Sequence, residues 1–353
     1  MDRNFWKNRT VLVTGHTGFK GSWLSIWLHH MGAKVVGYAL DPENEENNFV
    51  VSKLSEKVID IRGDIRDRGS LEKVFDTYKP EIVFHLAAQP IVLKSYENPV
   101  ETYEINVMGT LNVLEAIRKA GCVRSVVMIT TDKCYENKET MTGYKETDPF
   151  GGYDPYSSSK ACDEILISSY RNSFLPLEKY EDHKVAIASV RAGNVIGGGD
   201  WAESRLVPDC IRAIEENKNI LIRNRNSIRP WQHVLEPLSG YIEIAEKLYS
   251  EPKKYSGGWN FGPNEDGIWN VWEVAKKVIE VYGKGKLEDH SDNNAPYEAG
   301  KLLLNIEKAK TILGWKPRTS VDEAIEMTVE WYRERFIKNP YDICIEQIEK
   351  YMS

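Results

Sequence analysis

Residues 10–21 read Thr10-Val-Leu-Val-Thr-Gly15-His-Thr-Gly18-Phe-Lys-Gly21, and they constrain the chain more than any other stretch. Five residues of buried-strand character run into a glycine-rich turn, and the turn runs into a helix. Gly15 lets the chain leave the strand sharply. Gly18 removes a side chain where a diphosphate would approach the helix N-terminus, and Gly21 lets the helix pack closely on the sheet. Unpaired N–H groups and the helix dipole favour an anion at that point. The following helix is expected over residues 20–31, with Trp23, Leu24, Trp27 and Leu28 facing the core and Gly32 as its stop.

The next strand, 34–38, ends near Asp41, about twenty residues beyond Gly21. An acid there accepts hydrogen bonds from an adenosine ribose and repels a 2′-phosphate, which favours NAD over NADP. Further strands are expected at 58–61, 81–86, 125–130 and 185–191, alternating with helices that include 100–120 and one opening at Tyr156. This alternation predicts an α/β fold with a doubly wound parallel sheet covered on both faces. Ligands in such sheets bind beyond the carboxyl ends of the strands, where Asp64, Ala87, Ala88 and Thr131 fall. Beyond residue 196 the rhythm loosens to a helix at 207–217, a short strand at 219–223 and two capping boxes, Asn270/Glu273 and Ser320/Glu323. The expected division is a dinucleotide-binding domain at 1–195, with a return of the chain near 229–260, and a smaller, mostly helical C-terminal lobe from 196–228 and 261–353.

Composition narrows the class. The 353 residues are 41% hydrophobic and 28% charged with a net charge of −7, an ordinary globular balance that offers no basic surface for nucleic acid. No apolar run is long enough to span a membrane, and residues 1–9 lack a signal pattern. Five scattered cysteines, at 122, 134, 162, 210 and 344, contain no C-x-x-C, which argues against a metal site or a disulfide framework and for a reducing cytoplasm.

Tyr156 and Lys160 stand one helical turn apart and share a face. A nearby ammonium lowers a phenol's pKa and makes it a base. Thr131 can hydrogen-bond the same substrate hydroxyl, and Asn106 can support the helix behind them. Trp259, Trp269, Trp272 and Trp315 are expected in the core rather than stacked on a base.

Together the glycine loop, Asp64, Ala87-Ala88, Thr131 and Tyr156-x-x-x-Lys160 resemble the extended short-chain dehydrogenase/reductase family, with a Rossmann-type fold. Four stretches, His16-Thr-Gly-Phe-Lys-Gly-Ser-Trp23, Thr131-Asp-Lys133, Arg191-Ala-Gly-Asn-Val-Ile-Gly-Gly-Gly-Asp-Trp201 and Arg229-Pro-Trp-Gln-His-Val-Leu-Glu-Pro237, look like the branch that dehydrates CDP-glucose, and the last two are long and specific. The resemblance implies a redox-neutral dehydration of a nucleotide sugar to its 4-keto-6-deoxy form with tightly held NAD. It assigns the cofactor to the loop from Gly15 through His16, Thr17, Gly18, Phe19 and Lys20 to Gly21, and to Asp41, Asp64, Ile65, Leu86, Ala87, Ala88, Asn106, Tyr156 and Lys160. Lys20 either touches a phosphate or is solvated. The resemblance gives catalysis to Thr131, Asp132, Lys133, Tyr156 and Lys160, and the substrate diphosphate to Asn194, Arg205 and Arg229. Glu298 and Lys301 are further candidates for lining the sugar-nucleotide pocket. Related dehydratases carry Asp-Glu where this chain has Asp132-Lys133, which leaves the C5 base open: as a base Lys133 must be neutral. The family often pairs as a homo-oligomer through the helices near 100–120 and 156–172. Two other readings remain, a 4-epimerase on the same fold, which needs no acid–base pair at 132–133, and a non-catalytic NAD sensor, which needs no Tyr/Lys pair.

Overall fold

A computed structural model describes residues 1–140, 142–291 and 302–353, so Glu298 and Lys301 lie outside the described residues. The strands are β1 (Thr10–Thr14), β2 (Lys34–Ala39), β3 (Ile59–Arg62), β4 (Ile82–His85), β5 (Ser125–Ile129), β6 (Ala186–Ala192), β7 (Asn194–Ile196), β8 (Ile220–Ile222), β9 (Ile228–His233), β10 (Gly257–Phe261), β11 (Ile268–Asn270) and β12 (Leu287–Asp289). Seven form one sheet in the order β10-β6-β5-β4-β1-β2-β3. Every pairing in it is parallel. The order reverses between β1 and β4, so a crevice opens beyond their carboxyl ends.

Side chains explain the layers. Val11 and Val13 of β1 join one apolar core with Trp23, Leu24, Trp27 and Leu28 of the helix Phe19–His30, while Leu12 faces a second core with Val113, Leu114 and Ile117 of Gly109–Ala120. Alternate residues of a strand point to opposite faces, so a wholly apolar strand is covered twice. The helix Leu235–Ser250 lies in the first core, and β10 then adds to the edge of the sheet beside β6. Outside the main sheet, β7 pairs with β9 in parallel, β9 with β11 antiparallel, and β8 with β12.

Both expected capping boxes form, at Asn270/Glu273 before the helix Val271–Tyr282 and at Ser320/Glu323 before Val321–Glu334. Trp259 and Trp315 are buried in the core, whereas Trp269 and Trp272 are half-buried against it. Two expectations need revision. The helix near 100–120 is not uniform: Pro99–Tyr103 is α-helical, Glu104–Met108 is a π-helical segment, and Gly109–Ala120 is α-helical again. A π-turn inserts an extra residue and turns side chains relative to the helix that follows; here the inserted turn carries Asn106. Gly21 meets the turn rather than a strand: a Cβ there would lie 2.0 Å from the Gly15 carbonyl oxygen.

Candidate active site

The glycine turn is held from both sides. Gly15 adopts φ +75°, and a Cβ on it would lie 2.7 Å from the Ala87 nitrogen. Thr14 Oγ1 accepts from that Ala87 N–H at 3.3 Å, and Thr17 Oγ1 donates to the Leu40 carbonyl at 3.0 Å. Gly18 differs from its neighbours. The atom nearest to an added Cβ is the Gly15 oxygen at 3.4 Å, an ordinary contact, so the protein itself does not require glycine there. Gly18 also N-caps the helix Phe19–His30 without a side-chain hydrogen bond, which leaves backbone donors to face a ligand. A cradle of this shape fits a dinucleotide diphosphate.

The other proposed cofactor residues separate into three groups. Asp41 is 88% exposed at the end of β2 and faces Arg62 at 3.6 Å, a position open to a ribose. Asp64 accepts from Arg66 at 2.7 Å, Ile65 packs against Gly109, and half-buried Leu86 leads from β4 to Ala87 and Ala88 at the crevice floor. His16 and Phe19 turn into the protein instead. His16 is fully buried under β2, with Nε2 2.8 Å from Asp60 Oδ1, and burial lowers its pKa despite that partner. Phe19 packs toward Gly197, in the loop after β7.

Four elements bring the chemical groups together. Thr131, just past β5, caps the short 3-10 turn Asp132–Cys134 and donates to Asp132 Oδ1 at 3.0 Å. Tyr156 and Lys160 occupy the first turns of the helix Pro155–Ser173, whose N-cap is Asp154. The Tyr156 N–H donates to Ser95 Oγ at 3.1 Å. Asn106 ties this helix to the crevice: its Nδ2 donates to Ser159 Oγ at 2.8 Å and to the Gln89 carbonyl at 3.1 Å. The fourth element is the return from β6. Asp132 Oδ2 lies 3.1 Å from where a Cβ of Gly193 would be, so glycine admits the carboxylate beside Arg229-Pro230.

The electrostatics follow from this crowding. Burial raises the Asp132 pKa, opposed by Lys133, Thr131, Arg229 and Lys20. Burial also raises the Tyr156 pKa, while Lys160, Thr131 and Arg205 pull it down. Lys160 therefore acts in the anticipated direction, yet desolvation of the phenol outweighs it. Lys20 is not a solvated loop lysine. Its ammonium lies 5.9 Å from the Tyr241 ring centroid, and burial together with Arg205 brings its pKa down to about 8, with Asp132 and Asp200 opposing.

Of the three substrate candidates, Asn194 opens β7 opposite Trp231 of β9. Arg205, which precedes the helix Leu206–Glu215, donates to Asp200 Oδ2 at 2.8 Å. Arg229 is buried on β9 and lies close enough to Asp132 to lower its pKa. Sequence reading missed Asp163, Asp200 and Tyr241. Asp163 sits three residues after Lys160, a helical spacing that could have flagged it. Asp200 and Tyr241 carry no local signal. Among the described residues no cluster of ligating side chains could hold a metal ion.

Comparison with known proteins fits this geometry. The family model for GDP-mannose 4,6 dehydratase matches residues 12–328. A CDP-glucose 4,6-dehydratase from Salmonella typhimurium is 50% identical over 100% of this chain and 99% of its own length. A dTDP-D-glucose 4,6-dehydratase from Mus musculus is 27% identical over 93% of this chain and 90% of its own. The solved UDP-glucose 4-epimerase of Thermus thermophilus, a complex with NAD, superposes with a TM-score of 0.74 at 26% identity, covering 92% of this chain and 99% of that one. With the Tyr156/Lys160 pair, the glycine cradle and the buried Asp132 now placed at one crevice, the chain belongs to the GDP-mannose 4,6 dehydratase family, within the extended short-chain dehydrogenases/reductases.

Proposed function

We infer that this chain dehydrates CDP-glucose to CDP-4-dehydro-6-deoxy-glucose with NAD as its resident cofactor. The observation that carries the reading is the buried Asp132, fixed by Thr131 and facing Arg229, directly beside Tyr156. An epimerase needs no such acid. Full-length likeness to a CDP-glucose 4,6-dehydratase supports the nucleotide and the sugar, and the NAD complex of a structural neighbour supports the cofactor.

The glycine cradle and Asp41 would hold the dinucleotide by its diphosphate and adenosine ribose, and Lys160 would hold it by the nicotinamide ribose. Bound NAD supplies the hydride acceptor for C4 and the hydride donor for C6. Tyr156 takes the proton of the 4-hydroxyl, with Thr131 beside it. The resulting ketone acidifies C5–H. Asp132 protonates the departing 6-hydroxyl and Lys133 assists removal of the C5 proton, so one water leaves across C5 and C6; C5 regains a proton when C6 is reduced. Arg205 and Arg229, with Asn194, suit the substrate diphosphate, which a guanidinium fork matches. In this reading residues 1–195, with the return of the chain near 229–260, are the cofactor domain, and residues 196–228 and 261–353 form the sugar-nucleotide lobe.

A homo-oligomer completes the proposal. Val100, Met108 and Ile165 are apolar and exposed on the helical stretches that carry Asn106 and Lys160, and such surfaces suit a self-complementary contact. The five cysteines are free, which fits the cytoplasm, and no described helix is long and apolar enough to cross a membrane. Incubation of the purified chain with CDP-glucose tests the function: a keto-sugar product lighter by one water supports it. Conversion to a CDP-hexose of unchanged mass would point to epimerisation, and no conversion alongside turnover of another nucleotide-glucose would reassign the base.

A further inference from the structure

The helix that carries Tyr156 and Lys160 carries an acid that the reaction scheme leaves unused. Lys160 Nζ donates to Asp163 Oδ2 at 2.9 Å, and the two side chains are only 4% and 1% exposed. Glu164, the next residue, is committed elsewhere: its two carboxylate oxygens accept from Arg191 Nε and Nη2, each at 2.7 Å, and also from Thr130 and Ser189. His85 approaches from β4 through Thr110, with Nε2 3.0 Å from Thr110 Oγ1 and Nδ1 2.7 Å from Thr14 Oγ1. It brings no charge, because burial and the nearby Lys160 push its pKa down to about 3. Among the described residues, Asp163 is thus the carboxylate paired with Lys160.

That single charge matters because of what surrounds it. Lys20, Lys133, Arg205 and Arg229 face the same crevice, answered by Asp132 and Asp200. An excess of positive charge suits diphosphates and opposes any cation placed beside Lys160. We propose that Asp163 is the counter-charge that fits this crevice to the oxidised, cationic form of a nicotinamide rather than to the reduced, neutral form; the proposal rests on the reading of the crevice as an NAD site. Asp163 is a positioning residue that acts through Lys160. One of the three ammonium hydrogens is spent on it, and two remain to donate elsewhere. A redox-neutral cycle needs this balance, since a site that held the reduced ring far more tightly would stall after the first hydride transfer.

The test measures dissociation constants for NAD+ and NADH by calorimetry on the full chain freed of nucleotide. It compares wild type with Asp163→Asn, which keeps the size and an oxygen but loses the charge. The ratio Kd(NAD+)/Kd(NADH) should rise about tenfold, equivalent to about 1.4 kcal/mol. This is the scale of one unit charge acting over roughly 10 Å at an effective dielectric near 20. Lost packing alone weakens both forms alike, so an unchanged ratio overturns the proposal. If the wild type binds neither dinucleotide, the NAD reading falls first and takes this inference with it.

A second measurement needs no variant. Burial lifts the Asp163 pKa to about 6. The carboxylate is therefore charged above that value and lost as pH falls through it. The groups facing it hold their charge in that window: the Lys160 pKa is raised, that of Glu164 is lowered, and His85 is neutral. In wild type the ratio should climb as pH falls from about 7.5 to about 5.5, and by more than in Asp163→Asn, where Lys20, with its pKa about 8, still gains some charge at the top of that window. A wild-type climb no larger than that of the variant overturns the proposal as well.

Discussion

Replacing Asp132 with Asn isolates the step that separates a dehydratase from its epimerase relatives. Asp132 is buried, its Oδ1 accepts from Thr131 at 3.0 Å, and its pKa is raised by desolvation. Asn is nearly isosteric, can still accept from Thr131, and fits against Gly193, so the crevice keeps its shape. It cannot hand a proton to a departing hydroxyl. A general acid of this kind is worth about 10²–10⁴-fold, or about 2.7–5.4 kcal/mol of barrier at about 1.36 kcal/mol per decade. Oxidation at C4 uses Tyr156 and Lys160 and should survive. Stopped-flow absorbance of reduced nicotinamide, paired with product mass, reads both steps. The expected trace is a full burst that decays slowly, with little keto-deoxy product. Water loss at the parental rate would refute the acid assignment. Absence of the burst would move Asp132 into substrate binding or the oxidation itself.

The remaining predictions are simpler. Tyr156→Phe should keep dinucleotide and substrate affinity by calorimetry and lose about 10²–10⁴-fold in turnover; near-parental turnover means another base. Asp41→Ala should weaken NAD binding by roughly 1–3 kcal/mol, and because it frees Arg62 it should also narrow the gap to NADP; unchanged NAD affinity removes Asp41 from the site. Ile165→Asp, a change at an exposed position, should leave the fold intact by circular dichroism and lower the molar mass seen by light scattering. If the mass stays that of an oligomer, the partner surface lies elsewhere.

Features whose causes lie within one short stretch were legible in the sequence. The strand–glycine–helix unit, the two capping boxes and the Tyr156/Lys160 spacing each depend on backbone geometry over a handful of residues, and local chemistry encodes that geometry. The βα alternation, together with burial on both strand faces, carried the parallel sheet as well. Only the tertiary structure decided which distant groups meet. Gly193 has no signal of its own until the return from β6 brings it against Asp132. Lys20 reads as a loop lysine until the helix N-terminus aims it toward Tyr241. The net rise in the Tyr156 pKa was also out of reach of the sequence: spacing shows the stabilising cation, but desolvation depends on everything packed around the phenol. The π-turn at Asn106 belongs to the same class, because its extra residue is tolerated through bonds to Gln89 and to Ser159 of a separate helix. Local patterns fix the elements, whereas charge balance and proton affinity are set by neighbours far away in the chain.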